Sequence, residues 1–312
     1  MRDHQPERSQ GQRAERGNLY DEVTSRIIAE LEAGRVPWVQ PWGCASAALG
    51  LPKNASTART YSGVNILILW GAVITRGYAL QHWLTFKQAL DLGGNVRKGE
   101  RGTTVCYADR FIPKSEADRA AKAGDDPHAV PFLKRFTVFN VAQCEGLPET
   151  AFAGAPPLPA REIIPHAEAV ISASGADFRI GGDRAYYSTA EDYVQVPPQP
   201  AFSPDQINYY RTCFHELGHW TGAKTRLARD HSGRFGSHPY AREELVAEMT
   251  SAFVCACLGI TPTVRHTDYL ASWLDVLRED NRAIFRAASQ ASKAADYLLA
   301  YRNAAPAQED AA

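Results

Sequence analysis

Val23, Ile27, Ile28 and Leu31 recur at helical spacing between Leu19 and Ala33, and Gly34 follows them, so the pattern predicts a core-facing helix over 19–33. Residues 1–17 carry no apolar periodicity and read as a disordered tail. Two irregular segments rich in Pro, Asn, Ser and aromatic residues come next, VPWVQPW (36–42) and PKNASTARTYSGVN (52–65). The apolar run Ile66–Val73 predicts a second helix, and His82-Trp83-Leu84-Thr85-Phe86 leads into a short third one that stops at Gly93-Gly94. Strand-like pieces stand at Thr103–Tyr107 and Thr137–Asn140, and the polar Ala/Lys/Asp stretch between them, 114–128, reads as a flexible insertion.

Residues 146–160, GLPETAFAGAPPLPA, have the composition of a linker. Beyond them the pattern gives a helix over 162–174, a hairpin pairing Ala185–Ser188 with Tyr193–Val196, and mostly helix to residue 303, with 304–312 as a tail. Ser203-Pro204-Asp205-Gln206 has the form of a capped helix start. That helix should run to Thr221 before Gly222, with Ile207, Tyr210, Phe214, Leu217 and Thr221 on its core face. A further helix is expected from Glu243 to Gly259. The expected fold class is therefore α+β in two domains, an α+β domain over 18–145 and a mainly helical one with a small sheet over 161–303.

Length supports that division, since single cores usually stop growing near roughly 250–300 residues and this chain has 312. With no run of about 18 apolar residues and a charged start, neither a membrane span nor a secretory signal is expected, and the protein reads as cytoplasmic. Six cysteines without a CxxC pair suit reduced thiols. The formal charge of −1 hides an asymmetry: residues 1–145 hold 19 Lys/Arg against 15 Asp/Glu, a sign that suits a polyanion partner.

FHELGHW (214–220) carries the candidate chemistry. Four residues apart on a helix, His215 and His219 lie about 40° from each other around the axis, so both imidazoles reach one ion. Neutral imidazoles ligate zinc, and the neighbouring Glu216 is placed to take a proton from a coordinated water. A third protein ligand is needed; the chain matches Gly222 of the extended HExxHxxGxxH pattern but has Thr225 where its third histidine belongs, which argues against that class. Downstream, Glu244 and Glu248 share one helix face. This resembles the glutamate-type zinc peptidases, whose second helix supplies ExxxD. The resemblance implies Glu244 as the metal ligand and Glu248, standing where that pattern has Asp, as the acid that holds a ligand histidine. His231, His238 and Tyr240, expected on the intervening loop, are the candidates for stabilising an oxyanion or protonating a leaving group. The hairpin at 185–196 offers an edge strand for an extended peptide.

In the first half, aromatics interleave with cations, the composition with which proteins hold single-stranded nucleic acid. Trp38, Trp70 and Trp83 lie in apolar settings and read as packing residues. The loops PKNASTARTYSGVN and NVRKGERG are the better binding candidates, through Lys53, Asn54, Arg59, Tyr61, Arg97, Lys98 and Arg101.

Ordered strings along the whole chain resemble the ArdC-type antirestriction proteins of conjugative plasmids, relatives of the N-terminal part of TraC-type plasmid primases. GRVPWVQPW, YSGVN, WLTFKQA, GGNVRKGERG and VFNVAQ carry the likeness in the first half; GGDRAYYS, FHELGHWTG, YAREELVAE and ASWLDVLREDNRAIFRAASQASKAADYL carry it in the second. The resemblance implies a single-stranded-DNA-binding N-terminal domain and a zincin-like metallopeptidase domain. It also implies a protein that enters a recipient cell with plasmid DNA and counters host restriction. Zinc is the expected ion, with manganese as the alternative; the partners expected are single-stranded DNA and an unidentified protein substrate. A DNA-masking protein whose metal site only supports the fold is the alternative function.

Overall fold

The computed structural model describes residues 18–38, 50–123, 125–148, 160–234, 236–261 and 269–301. The two expected tails, most of the expected linker and part of VPWVQPW lie outside them. Among the described residues the chain is α+β, as its patterning predicts.

The first half runs α1 (Leu19–Glu32), β1 (Lys53–Asn54), α2 (Val64–Arg76), β2 (His82–Leu84), α3 (Phe86–Asp91), β3 (Asn95–Val96), β4 (Thr103–Phe111), α4 (Lys114–Ala123), β5 (Val130–Asn140) and β6 (Cys144–Glu145). Its main sheet has the order β1-β2-β5-β4, with β4 and β5 antiparallel in a hairpin that pairs Thr103 with Val138 and Phe111 with Val130. This hairpin is longer at its outer end than the expected strands. The edge of β4 is partly covered by a side chain: Asn65 Oδ1 accepts from the Cys106 N–H and its Nδ2 donates to the Cys106 carbonyl, each at 2.8 Å.

The stretch expected to be a flexible insertion contains α4. Its sequence KSEADRAAKA is rich in Ala, and Arg119 pairs with Glu116 one turn earlier at 2.8 Å. Glu116 also accepts from the His128 N–H at 3.0 Å, which ties the far end of the stretch to the helix. No apolar stripe runs along α4, so hydrophobic periodicity gives no sign of it.

The second half comprises α5 (Ala160–Ala173), β7 (Asp177–Ile180), β8 (Tyr186–Ser188), β9 (Tyr193–Val196), α6 (Asn208–Trp220), α7 (His238–Leu258), α8 (Leu270–Glu279) and α9 (Ala283–Ala300). The expected hairpin, β8 with β9, is joined by an unexpected third strand: β7 pairs parallel with β9, leaving β8 at an edge. Helix α6 starts at Asn208, not at Pro204. Ser203 instead closes a 3-10 turn over Gln199–Phe202, and the N–H groups of Asn208, Tyr209 and Tyr210 bond back three residues at 3.0–3.2 Å. The apparent cap is thus spent on a turn. Helix α7 starts five residues earlier than expected, because Ser237 caps it by accepting from the Tyr240 N–H and Pro239 occupies the first turn. His238 and Tyr240 therefore sit on a helix rather than a loop.

One apolar cluster runs from Leu19 of α1 to Leu298 of α9 and includes residues of both halves. Trp38 packs edge-on against Trp273 of α8 at 5.3 Å between ring centroids, and Trp70 of α2 against Phe253 of α7 at 5.7 Å. Trp38, Trp70 and Trp83 are all fully buried. Polar bonds accompany the packing: Thr24 Oγ1 donates to the Asn281 carbonyl at 2.7 Å, and the Gly63 N–H to Ser292 Oγ at 2.9 Å.

Candidate metal centre

Helices α6 and α7 pack face to face where Gly218 meets Ala247. Burial on α6 extends well beyond the expected core stripe, since His215 and Glu216 are buried as well as Tyr210, Phe214 and Leu217. An apolar helix contact thus carries polar side chains into the interior, where each needs a partner.

The partners come from α7. His215 Nε2 lies 3.2 Å from His219 Nε2 and 3.4 Å from Glu244 Oε2, and His219 Nε2 lies 3.5 Å from Glu244 Oε1. The two imidazoles thus face different oxygens of one carboxylate, and one ligand atom from each of the three residues lies within 4.8 Å of the others. Two imidazoles and a carboxylate gathered this closely are a donor set that fits a divalent cation. The outer nitrogens face further acids: His215 Nδ1 is 3.3 Å from Glu248 Oε1, and His219 Nδ1 is 3.2 Å from Glu243 Oε1. Arg211 in turn holds Glu248 at 2.6 Å, with both side chains almost wholly buried.

Glu243, Arg229 and Arg211 were not expected here. Arg229 clasps Glu243 through Nε at 3.0 Å and Nη2 at 2.7 Å, and also donates to Thr221 Oγ1 and the Gly218 carbonyl. A Cβ on Gly222 would lie 2.8 Å from Arg229 Nη2 and 2.0 Å from His231 Nε2, so a glycine after HELGHWT leaves room for these two side-chain ends where they stand. The adjacent acids at 243 and 244 were the available signal. Because neighbours on a helix diverge by about 100°, only one of them was expected at the site.

Charge follows from these contacts. Burial opposes a proton on either imidazole, but Glu244 and Glu248 outweigh it at His215, which lies well above its ordinary range. At His219, Glu243 and Glu244 do the same and raise the group to about 9. Conversely, burial favours the neutral form of Glu243 and Glu244, yet the facing cations and hydrogen bonds hold both below the ordinary carboxylate range, Glu243 at about 2. The cluster is thus a set of acids that attracts positive charge to the two imidazoles.

A cavity of about 580 Å³ opens onto this cluster, lined by Glu216, Asp230, His231, Tyr240 and Tyr269, and by Ala185, Tyr186 and Tyr187 at the edge strand β8. Burial and hydrogen bonding to Tyr269 and Glu244 raise the Tyr240 phenol far above its usual range, keeping it a proton donor. His231 reaches the same cavity 3.5 Å from Glu243, and burial lowers its pKa. The third of the three, His238, points elsewhere and pairs with Glu279 at 2.7 Å on the surface.

Of the nucleic-acid candidates, Lys53, Arg59, Lys98 and Arg101 are exposed. Asn54 and Arg97 hold loops together. Asn54 Oδ1 accepts from the N–H groups of Ser56 and Thr57, and Arg97 donates to the Ala142 carbonyl at 2.6 Å and to Glu100 at 2.8 Å. Tyr61 is half-buried against Tyr78 and Trp83 of a small core.

Comparison with known proteins agrees with this architecture. Residues 17–139 match the N-terminal domain of the anti-restriction factor ArdC, and residues 165–290 match a zincin-like metallopeptidase domain. The antirestriction ArdC protein from the R388 plasmid has a metal-free crystal structure that superposes with a TM-score of 0.75 at 38% identity, covering 92% of this chain and 98% of that one. The chain belongs to the ArdC antirestriction family. The Mn(II)-bound structure of the R388 protein gives a TM-score of 0.73 at 38% identity, over 91% and 98% of the two chains. Uncharacterized protein y4eC of Sinorhizobium fredii is 42% identical over 94% of this chain and 95% of its own length. A DNA primase TraC of Escherichia coli is 38% identical over 91% of this chain, which spans 27% of that primase. Among the described residues, no helix is long and apolar enough to cross a membrane.

Proposed function

We propose that this ArdC-family protein binds single-stranded DNA through its first half and hydrolyses a peptide bond of a protein substrate at a divalent-metal site in its second half, protecting incoming plasmid DNA from restriction. The observation that carries the catalytic reading is the placement of His215, His219, Glu244 and Glu216 on one open cavity. Structural zinc sites are closed by four protein ligands, whereas catalytic ones keep a position for water.

In this reading His215, His219 and Glu244 hold the ion. Zinc suits two imidazoles and a carboxylate; the Mn(II) in the R388 relative makes manganese the alternative. When bound, the cation supplies Lewis acidity that makes water nucleophilic and polarises a carbonyl. Glu216 accepts a proton from the attacking water and returns it to the departing amine. The Tyr240 hydroxyl donates to the oxyanion as it develops, with His231 beside it on the cavity wall. Glu248 and Glu243 fix the ring orientations of His215 and His219. Edge strand β8 pairs with the substrate backbone.

The deciding experiment replaces Glu216→Gln in the full chain. Metal content and oligonucleotide binding should match the unaltered protein, while cleavage of a peptide library and protection of conjugating DNA in a restricting host should both fall to background. Full protection by the variant would instead establish the DNA-masking alternative, with the metal serving the fold.

A further inference from the structure

Among the described aromatics of the first half, Phe86, Tyr107 and Phe136 are the exposed ones. Phe86 and Tyr107 are each 50% exposed, and each touches a second ring: Phe86 meets Phe139 edge-on at 6.4 Å, and Tyr107 meets Phe136 at 5.9 Å. The two pairs differ in surroundings.

Phe86 opens α3, where the two basic loops singled out in the sequence converge. On one side, Gln88 of α3 accepts from Asn54 Nδ2 at 3.0 Å, anchoring the loop that carries Lys53 and Arg59. On the other, Gly102 lies against Phe139; a Cβ there would stand 3.1 Å from the ring, so the glycine brings the 97–102 loop up to the aromatic pair. That loop is braced by Arg97 on the Ala142 carbonyl and by Gln143, which donates to Glu100 at 2.9 Å and to the Arg101 carbonyl at 3.0 Å. Its remaining cations, Lys98 and Arg101, are exposed.

Charge separates this pair of rings from the other. Between residues 53 and 101 the chain carries seven Lys/Arg against two Asp/Glu, in a protein whose net charge is −1. One of those acids, Glu100, is tied to Arg97; Asp91 on α3 is the other. Lys53, Arg59, Lys87, Lys98 and Arg101 have no acidic partner within ion-pair distance among the described residues. By contrast, Tyr107 and Phe136 lie on the hairpin's other face, where the cation directly across from Tyr107 is Lys134, itself engaged in an interaction of its own. An exposed ring flanked by unpaired cations on two braced loops suits a strand that offers unstacked bases and a phosphate backbone together.

We infer that Phe86, backed by Phe139, is a base-stacking platform for single-stranded nucleic acid, and that Lys53, Arg59, Lys87, Lys98 and Arg101 track the phosphates on either side of it. This rests on the single-strand reading of the first half and adds its location. Exposure of Leu90, also 50% and one turn beyond Phe86, extends the apolar floor to the length of α3.

The test measures binding of fluorescent oligo(dT) to the full chain by anisotropy at several salt concentrations. Phe86→Ala, which removes an exposed ring and should leave the melting temperature unchanged, should weaken binding about tenfold with the salt slope intact. The Lys98→Ala, Arg101→Ala double variant should lower the slope by about 1.4, at about 0.7 for each phosphate left without its cation. The Tyr107→Ser, Phe136→Ser double variant should bind normally. Unaltered affinity in Phe86→Ala, or loss of binding in the Tyr107/Phe136 variant instead, overturns the location while sparing the single-strand reading. Failure of the unaltered protein to bind oligo(dT) removes both.

Discussion

Gly218 of α6 lies so close to Ala247 of α7 that a Cβ on the glycine would stand 3.2 Å from the alanine Cα. The neighbour is backbone and cannot rotate away. Glycine at the middle of HELGH therefore sets the distance between the two helices, and with it the reach of Glu244 to the imidazoles. Gly218→Val should force α6 and α7 apart, costing about 1–3 kcal/mol of stability. It should also weaken metal binding by more than tenfold, because ligand separations of 3.2–3.5 Å tolerate little stretch. Calorimetric metal titration alongside urea unfolding checks both; retained affinity would show that the helix contact does not set the site.

The Glu243 carboxylate, clasped by Arg229, fixes the His219 ring from outside the ligand set. Orienting acids of this kind typically contribute 10–100-fold to metal affinity. Glu243→Gln should lose about that much, and Arg229→Ala should follow it, since the freed acid can then turn away from the ring. Nitrogen chemical shifts of His219 report the change directly: its Nδ1–H should lose its carboxylate partner while that of His215 is unaffected.

Protons compete for the same nitrogens. With metal removed by a chelator, the His219 pKa of about 9 exceeds its unfolded value of about 6.5. Its contribution to stability is then complete below pH about 6.5 and is lost as pH rises through 9. Glu243 behaves in the opposite sense: its stabilisation is present above an unfolded value of about 4.3 and disappears as pH falls through about 2. The chelated protein should thus be most stable between about pH 5 and 6.5. Metal must displace the imidazole protons of both His215 and His219, so its apparent affinity should climb with pH to at least about 9, with proton release visible by calorimetry in buffers of different ionisation heat. Flat affinity across pH 6–9 would mean that His219 carries no proton to displace.

How much of this was legible in the sequence depended on whether one local pattern held the information. Spacing of His215, Glu216 and His219 on one helix is local, and so are the apolar stripes of α1 and α2. Glu244 and Glu248 needed the ExxxD likeness, because nothing local tells which face of α7 meets α6. No local pattern marks Arg229: it reaches Glu243 from a loop that returns over the end of α6, with its own N–H on the Gly222 carbonyl. Phe86 and Trp83 look alike in sequence, three residues apart, yet one is exposed and the other buried. Helix α4 gives no periodic signal because alanines and a Glu116–Arg119 pair favour it rather than an apolar face.

Trp38 and Trp273 meet across the two halves of the chain, in a cluster that also joins Trp70 to Phe253 on the helix carrying Glu244 and Glu248. Shared burial of this kind couples the stabilities of the parts, since neither half can unfold without exposing the other's aromatic surface. Trp273→Ala should cost about 3–5 kcal/mol, the usual range for removing a large buried aromatic. Its effect should extend to the first half, so amide exchange in α1 and α2 should quicken along with that in α8 and α9. Exchange confined to α8 and α9 would show instead that the two halves open independently.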